Sequence, residues 1–145
     1  MIVTFCGHGE ITYSEEIRKI LYNTVEELIN QGADEFLLGG YGSFDLLAAK
    51  TVKILKEKYP HIKSILIIPY INRDFDADIY DCSEYPPIEN VPKRFAILKR
   101  NEWMARKADV VVAYVQYDWG GAVKTLEYAI RKKKRIINIA PQAAI

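Results

Sequence analysis

The sequence has almost no excess of charge and few residues of the kinds that bind metals or form disulfides. It contains 20 lysines and arginines against 19 acidic residues, a formal net charge of +1. This balance excludes a general attraction to DNA, RNA or an acidic membrane and argues against a nucleic acid partner. The two cysteines, Cys6 and Cys82, have no CxxC spacing and few neighbouring histidines. We therefore predict no metal site, and no other feature of the sequence predicts a cofactor.

Long apolar runs, internal repeats and low-complexity segments are also absent. No run approaches the roughly 20 residues that a membrane-spanning helix needs, so we predict no membrane association. Because no secretory signal is recognisable, we expect a cytoplasmic protein with both cysteines reduced. The 145 residues, half of them hydrophobic, are enough for one domain, 1–145, whose core needs neither disulfides nor metals.

Short apolar runs alternate with amphipathic segments along most of the chain. The runs predict strands at residues 2–6, 36–38, 64–68, 110–115 and 136–139. The first helix is capped by Ser14 or by a Thr12–Glu15 capping box and ends near Gly32, and three more helices are predicted over 43–59, 94–107 and 121–133. This order predicts an α/β fold, a Rossmann-like, mainly parallel five-stranded sheet with helices on both faces.

Residues 70–92 break the pattern. The stretch is polar, contains Tyr80 and Tyr85, and is too long for an ordinary connection between a strand and a helix. Long loops of this kind are often functional flaps, while tyrosines in them are equally often packing residues. Both interpretations stay open for the two tyrosines.

The turns that follow the strands are the places to look for a ligand, because open parallel sheets bind ligands beyond the carboxyl ends of their strands. After the second strand come Gly39, Gly40, Tyr41, Gly42 and Ser43. Glycines allow positive φ and a close approach of backbone N–H groups, and the next helix begins with unpaired donors that suit a phosphate. The spacing matches neither a Walker A motif nor GxGxxG. The alternative is a tight turn that needs glycine, with Ser43 as a plain N-cap.

Glycines also follow the first and fourth predicted strands. Gly7 and His8 come after the first strand, where His8 either contacts a ligand or caps the loop. Trp119, Gly120 and Gly121 precede the last helix, and Trp119 either stacks on a base or covers the turn. Within that helix, Glu127 leans back toward the N-terminus, where a carboxylate could orient a ribose or stabilise a sugar cation, unless it belongs to a solvated face.

A third candidate is the pair Arg100 and Asn101. Asn101 shares an apolar helical stripe with Ile97, Met104 and Ala108, and a polar residue on such a stripe must find partners. Arg100 lies beside the stripe and is suited to bidentate binding of a phosphate. The alternative is that both side chains brace the neighbouring loop through backbone hydrogen bonds.

At these residues the sequence resembles the SLOG superfamily, which joins the DNA-processing protein A fold to the "lonely guy" phosphoribohydrolases, and it looks closest to the small stand-alone bacterial branch. The resemblance covers nearly the whole chain. Its markers are FCGHGE at 5–10, LLGGYGSFDLLAA at 37–49, YPPIENVPKRFAILKRNEWM at 85–104, ADVVVAYV at 108–115 and WGGAVKTLEYA at 119–129. The resemblance implies a nucleotide-like small-molecule ligand and, because such proteins commonly pair through helices flanking the site, a homo-oligomer.

The phosphoribohydrolase branch carries an arginine-lysine helix followed by a strand and the motif PGGxGTxxE. Arg100 falls where its arginine would, Asn101 replaces the lysine, Gly120 and Gly121 match the glycine pair, and Glu127 keeps the spacing of the glutamate. The departures are at the proline, the third glycine and the threonine, which are replaced here by Trp119, Val123 and Lys124.

These observations support two hypotheses. In the first, a nucleotide-derived ligand lies across the carboxyl edge of the sheet, with its phosphate at the turn 39–43, Arg100 opposite and Trp119 beside the base or sugar. The alternative is an N-glycosidic hydrolase or transferase in which Glu127 stabilises the developing sugar cation while Arg100 holds the phosphate. A DNA-associated role, by analogy with the DNA-processing branch, is more distant.

Overall fold

The computed structural model describes residues 1–10, 12–71, 75–116 and 118–141. Residues 72–74 of the predicted flap lie outside them. The strands are β1 (Ile2–Gly7), β2 (Glu35–Leu38), β3 (Lys63–Ile67), β4 (Cys82–Glu84), β5 (Val110–Tyr114) and β6 (Arg135–Asn138). The helices are α1 (Glu15–Asn30), α2 (Gly42–Lys58), α3 (Ala96–Lys107) and α4 (Gly121–Arg131), and a 3-10 turn over Lys93–Phe95 precedes α3.

The six strands form one parallel sheet in the order β4-β3-β2-β1-β5-β6. The predicted α/β class is confirmed, and each of the five predicted strands is present with ends that differ by one residue at most. The sheet has one strand more than predicted, because β4 forms inside the stretch 70–92. Its pairing with β3 is fixed by Asp81, which accepts a hydrogen bond from the Ser64 N–H at 2.8 Å. The sequence did not predict this strand, because it has no apolar pattern and its pairing depends on a contact between residues far apart in the chain.

Helix α1 shows why these segments fold as they do. The Ser14 hydroxyl accepts a hydrogen bond from the Ile17 N–H at 3.3 Å, which identifies Ser14 as the N-cap. At the other end, Gly32 has φ +111° and lies just past the C-cap Gln31, a backbone conformation that glycine adopts without strain.

The core lies on both faces of the sheet. Val3 and Phe5 of β1 pack toward one apolar cluster that includes the buried residues of α1 and α2. Cys6, which points to the other face, packs with Ala105 of α3 and Ala129 of α4. Cys6 and Cys82 are both free thiols, because they belong to β1 and β4, which are separated by two other strands. In the described part of the chain, no helix combines the length and the apolar character needed to cross a membrane.

Candidate functional site

A cleft of about 570 Å³ lies at the carboxyl edge of the sheet, where the strand order changes direction. From β1 the chain proceeds outward to β2 on one side, whereas β5 and β6 lie on the other side. The loops after β1 and β5 therefore diverge and leave a crevice, as expected at the switch point of a doubly wound sheet. The cleft is lined by residues of β1 and its following loop, by Tyr41 and Asp45, by Ile97, Arg100 and Asn101, and by the segment from Trp119 to Ala122 with Thr125.

Seven of the twelve residues selected from the sequence line this cleft. They come from the end of β1 and its following loop, from α3, and from the segment that leads into α4, and they are Gly7, His8, Arg100, Asn101, Trp119, Gly120 and Gly121. Five do not line it: Gly39, Gly40, Gly42, Ser43 and Glu127. The structure therefore brings together, around the switch point, the predicted residues that follow β1, those on α3 and those at or just before the start of α4. Most of the predicted phosphate turn, 39–43, lies outside the cleft.

The turn after β2 is occupied by contacts within the protein. The Ser43 N–H donates to the Gly9 carbonyl at 2.9 Å, so the loop after β1 covers the start of α2. Gly42 has φ +84°, and an added Cβ would lie 2.6 Å from the Gly9 Cα. Glycine is thus required here for the close approach of two backbones, which is the structural alternative considered for this turn. The first turn of α2 also contains the carboxylate of Asp45, which offsets the positive end of the dipole of that helix.

Among the described residues, the start of α4 has neither the close backbone contact nor the acidic first turn that the start of α2 has. Gly120 has φ +101° and precedes the first helical residue, Gly121, and an added Cβ at either glycine would meet none of the described residues within 4 Å. The first turn of α4 contains no acidic residue. The first N–H groups of α4 have no acceptor within the helix. Gly120, Gly121 and Ala122, at this helix start, line the cleft. This helix end therefore offers the cleft backbone donors and a partial positive charge.

Arg100 lies under the cleft and braces its floor. Its side chain is 1% exposed, the largest side chain among the fully buried ones. Nη1 donates to the carbonyls of Gly39 at 2.6 Å and Ile67 at 2.7 Å, and Nε donates to Asn101 Oδ1 at 2.9 Å. These bonds tie α3 to the carboxyl ends of β2 and β3. The structure thus shows the bracing role for Arg100, whereas Asn101 accepts a hydrogen bond from Arg100 and makes none to a backbone group among the described residues. Contact of either side chain with a ligand stays a prediction.

His8 connects the loops on the two sides of the crevice. Its Nε2 accepts a hydrogen bond from the Gln116 N–H at 2.8 Å, which only an unprotonated ring nitrogen can do. Burial lowers the pKa of His8 and favours this neutral form. Its carbonyl accepts a hydrogen bond from the Tyr13 hydroxyl at 2.8 Å. His8 therefore has the loop-bracing role that the sequence left open, and it also lines the cleft.

Glu127 and Trp119 are placed very differently, although both are near the start of α4. Glu127 is exposed and does not line the cleft, whereas Thr125 of the same helix is 3% exposed and does. Trp119 is 68% exposed and stands at the rim. A large aromatic ring with this exposure is available to stack on a planar ligand.

The cleft also contains a carboxylate that was not selected from the sequence. Asp45, on the first turn of α2, has its pKa raised to about 6 by burial, against the opposing effects of the Arg100 charge and the Tyr41 N–H. Burial also raises the pKa of the neighbouring Cys6 to about 12, so this thiol stays protonated. The sequence signal for Asp45 was an acidic residue set among Phe44, Leu46 and Leu47, directly after the glycine turn.

Together the fold and the cleft define a Rossmann-like α/β protein with a ligand-sized crevice at its switch point. Comparison with known proteins gives the family. The sequence profile named YpsA and described as the YspA SLOG family matches residues 10–140, so the chain belongs to the YspA SLOG family.

Two relatives match most of the chain. The UPF0398 protein BH1768 of Halalkalibacterium halodurans is 25% identical over 144 residues, which cover 89% of this chain and 74% of that protein. The SPbeta prophage-derived protein YoqJ of Bacillus subtilis is 28% identical over 137 residues, which cover 79% of this chain and 80% of that protein.

Solved structures share the fold at low sequence identity. DNA processing protein A from Helicobacter pylori superposes with a TM-score of 0.64 at 16% identity, covering 94% of this chain and 63% of the other. The molybdenum cofactor binding protein of Rippkaea orientalis superposes with a TM-score of 0.61 at 20% identity, covering 93% of this chain and 73% of the other. At these identities the likeness concerns the fold alone.

Proposed function

We propose that this protein binds a nucleotide or nucleotide-derived small molecule in the switch-point cleft, with the anionic group at the start of α4. The observation that carries the proposal is the open helix end formed by Gly120, Gly121 and Ala122, which faces the cleft without an acidic residue in its first turn. Backbone N–H groups and the helix dipole together favour a phosphate at such a position.

The rest of the cleft suits the rest of such a ligand. Trp119 at the rim and Tyr41, which is 41% exposed, offer aromatic surface to a planar ring. A cleft of about 570 Å³ is within the size range of small-molecule sites. Among fold relatives, the Rippkaea orientalis protein is described as binding the molybdenum cofactor and the Helicobacter pylori protein as binding single-stranded DNA. Both ligands contain phosphate, and a small ligand fits the net charge of +1 better than a polymer does.

N-glycosidic hydrolysis receives less support from the geometry. That mechanism needs Glu127 beside the reacting sugar, but Glu127 is exposed and lies outside the lining of the cleft. Arg100, its intended partner, already donates to two backbone carbonyls. We therefore propose binding without extending the proposal to turnover.

The substitution Gly121→Asp tests the location of the anionic group. A Cβ added to Gly121 meets no described atom within 4 Å, and an acidic residue in the first turn stabilises a helix, so the variant is expected to fold. Its carboxylate would occupy the anion site and repel a phosphate. We expect nucleoside monophosphates and diphosphates to bind at least about tenfold more weakly, a loss of about 1.4 kcal/mol, in isothermal titration calorimetry.

Gly121→Asn is the matched control, because it has the same shape without the charge and is expected to bind within about threefold of the unmodified protein. Equal affinity of the Asp and Asn variants would place the anionic group elsewhere. Failure of the unmodified protein to bind any nucleotide of a broad panel would refute the proposed function itself.

A further inference from the structure

Asp45 presents a hydrogen-bond acceptor to the cleft. Its Oδ2 accepts the Tyr41 N–H at 3.3 Å, and no other hydrogen bond to Asp45 occurs in the described part of the chain. No fully buried side-chain oxygen or nitrogen lacks a partner among the described residues. Oδ1, which has no protein donor there, is therefore reachable from the cleft that Asp45 lines. A ligand in the cleft can donate to this oxygen.

The carboxylate and a positive charge lie close together at the carboxyl end of β2. A Cβ added to Gly39, the residue after β2, would lie 2.9 Å from Asp45 Oδ2 and 3.3 Å from Arg100 Cζ. No ion pair joins Asp45 to Arg100 among the contacts of the described residues. A ligand edge that offers donors to the carboxylate would match this arrangement, while the buried Arg100 keeps its bonds to the carbonyls of Gly39 and Ile67.

The sheet sets the distance between this pair and the proposed anion site. The Asp45 carboxylate, on the first turn of α2, lies beside Gly39 at the end of β2, the start of α4 follows β5, and β1 lies between these two strands. Two strand spacings amount to roughly 10 Å. In a nucleoside 5′-phosphate the ribose adjoins the phosphate, whereas the hydrogen-bonding edge of the base is farthest from it. With the phosphate at α4, this separation favours the base edge over the ribose as the part of the ligand nearer Asp45.

We propose that Asp45 selects a base with two adjacent N–H donors, the edge that guanine presents. This inference rests on the proposed function. An ionised carboxylate has only acceptors, so the ring N–H and the amino group of guanine can both donate to it. Adenine places a ring acceptor on the same edge, and an acceptor facing a carboxylate is repelled.

The test is the substitution Asp45→Asn, with GMP, XMP, AMP and dGMP as probes at pH 7.5, above the pKa of about 6. Xanthine has an oxo group where guanine has the amino group, so it presents one donor beside one acceptor, which an amide complements and a carboxylate does not. We expect the unmodified protein to prefer GMP to XMP and AMP by about tenfold or more. We expect Asp45→Asn to reverse the order of GMP and XMP. The asparagine oxygen can still accept the Tyr41 N–H, so the variant is expected to fold, which circular dichroism checks.

Each other outcome identifies a different failure. Equal binding of GMP and AMP, with a ratio unchanged in Asp45→Asn, overturns the selection of guanine while the proposed function stands. Equal weakening of GMP and XMP in the variant, together with weaker binding of dGMP than GMP to the unmodified protein, assigns Asp45 to the ribose and also overturns it. If no probe binds the unmodified protein, the proposed function fails and this inference fails with it.

Discussion

Replacing Arg100 with methionine is expected to lower the free energy of unfolding by about 3–5 kcal/mol, since two buried carbonyls left without a donor cost about 1–3 kcal/mol each. Methionine fills much of the same volume, but it donates no hydrogen bond, so the buried carbonyls of Gly39 and Ile67 lose their donor. Asp45 would at the same time lose the positive charge that opposes the effect of burial on its pKa. Urea denaturation at pH 7 measures the loss, and an unchanged dependence on urea concentration shows that the same folded state is compared.

The matched control is Lys99→Met, which removes a cation from the neighbouring position of α3. Lys99 is half exposed and pairs with Glu102 at 3.6 Å, so its substitution is expected to change stability by no more than about 0.5 kcal/mol. A loss below about 1 kcal/mol for Arg100→Met would show that the guanidinium does not brace the strands. Its burial would then have to be explained by ligand binding instead.

Gly42→Ala is expected to destabilise the fold by about 2–4 kcal/mol, although it adds a single methyl group. Gly42 has φ +84°, a conformation that costs a residue with a Cβ about 1–2 kcal/mol. The new Cβ would also lie 2.6 Å from the Gly9 Cα, a backbone atom that cannot rotate away. Relieving such an overlap typically costs about 1–3 kcal/mol. The start of α2 should then separate from the loop after β1, with loss of the bond from the Ser43 N–H to Gly9.

The reciprocal substitution, Gly9→Ala, serves as the control for this contact. A Cβ on Gly9 would lie 3.7 Å from the Gly42 Cα, an ordinary van der Waals distance, and Gly9 does not have positive φ. Thermal unfolding should therefore show a large decrease in melting temperature for Gly42→Ala and a small change for Gly9→Ala. Similar decreases for both variants would contradict a structural requirement for glycine at position 42.

These two predictions concern residues that the sequence associated with phosphate binding, and they show where sequence patterns stop being informative. A glycine turn between a strand and a helix predicts either a ligand or a close backbone contact, because both need the same conformational freedom. The choice at Gly42 depends on Gly9, which is 33 residues away in the chain. For Gly120 and Gly121, the same pattern leads to an open helix end, because a Cβ at either position would meet no described residue within 4 Å.

Arg100 and Asp45 illustrate the same limit for charged residues. The position of Arg100 on its helix predicted a polar group that must find partners, but the carbonyls it binds belong to β2 and β3. Asp45 was missed because a single acid in the first turn of a helix is normally a favourable interaction with the helix dipole. Its place in the cleft follows from how α2 packs over β1 and β2.

By itself the sequence determined the α/β class, five of the six strands, the four helices and the superfamily, because these depend on local periodicity, capping residues and motifs along one segment of chain. It also predicted that a ligand site would lie at the glycine turns after the strands. Only the tertiary structure decided that β4 joins the sheet through Asp81 and Ser64, that Arg100 braces the floor, that Glu127 lies outside the cleft and that Asp45 lies within it. Each of these depends on which distant segments meet across the sheet, and no local pattern encodes that meeting.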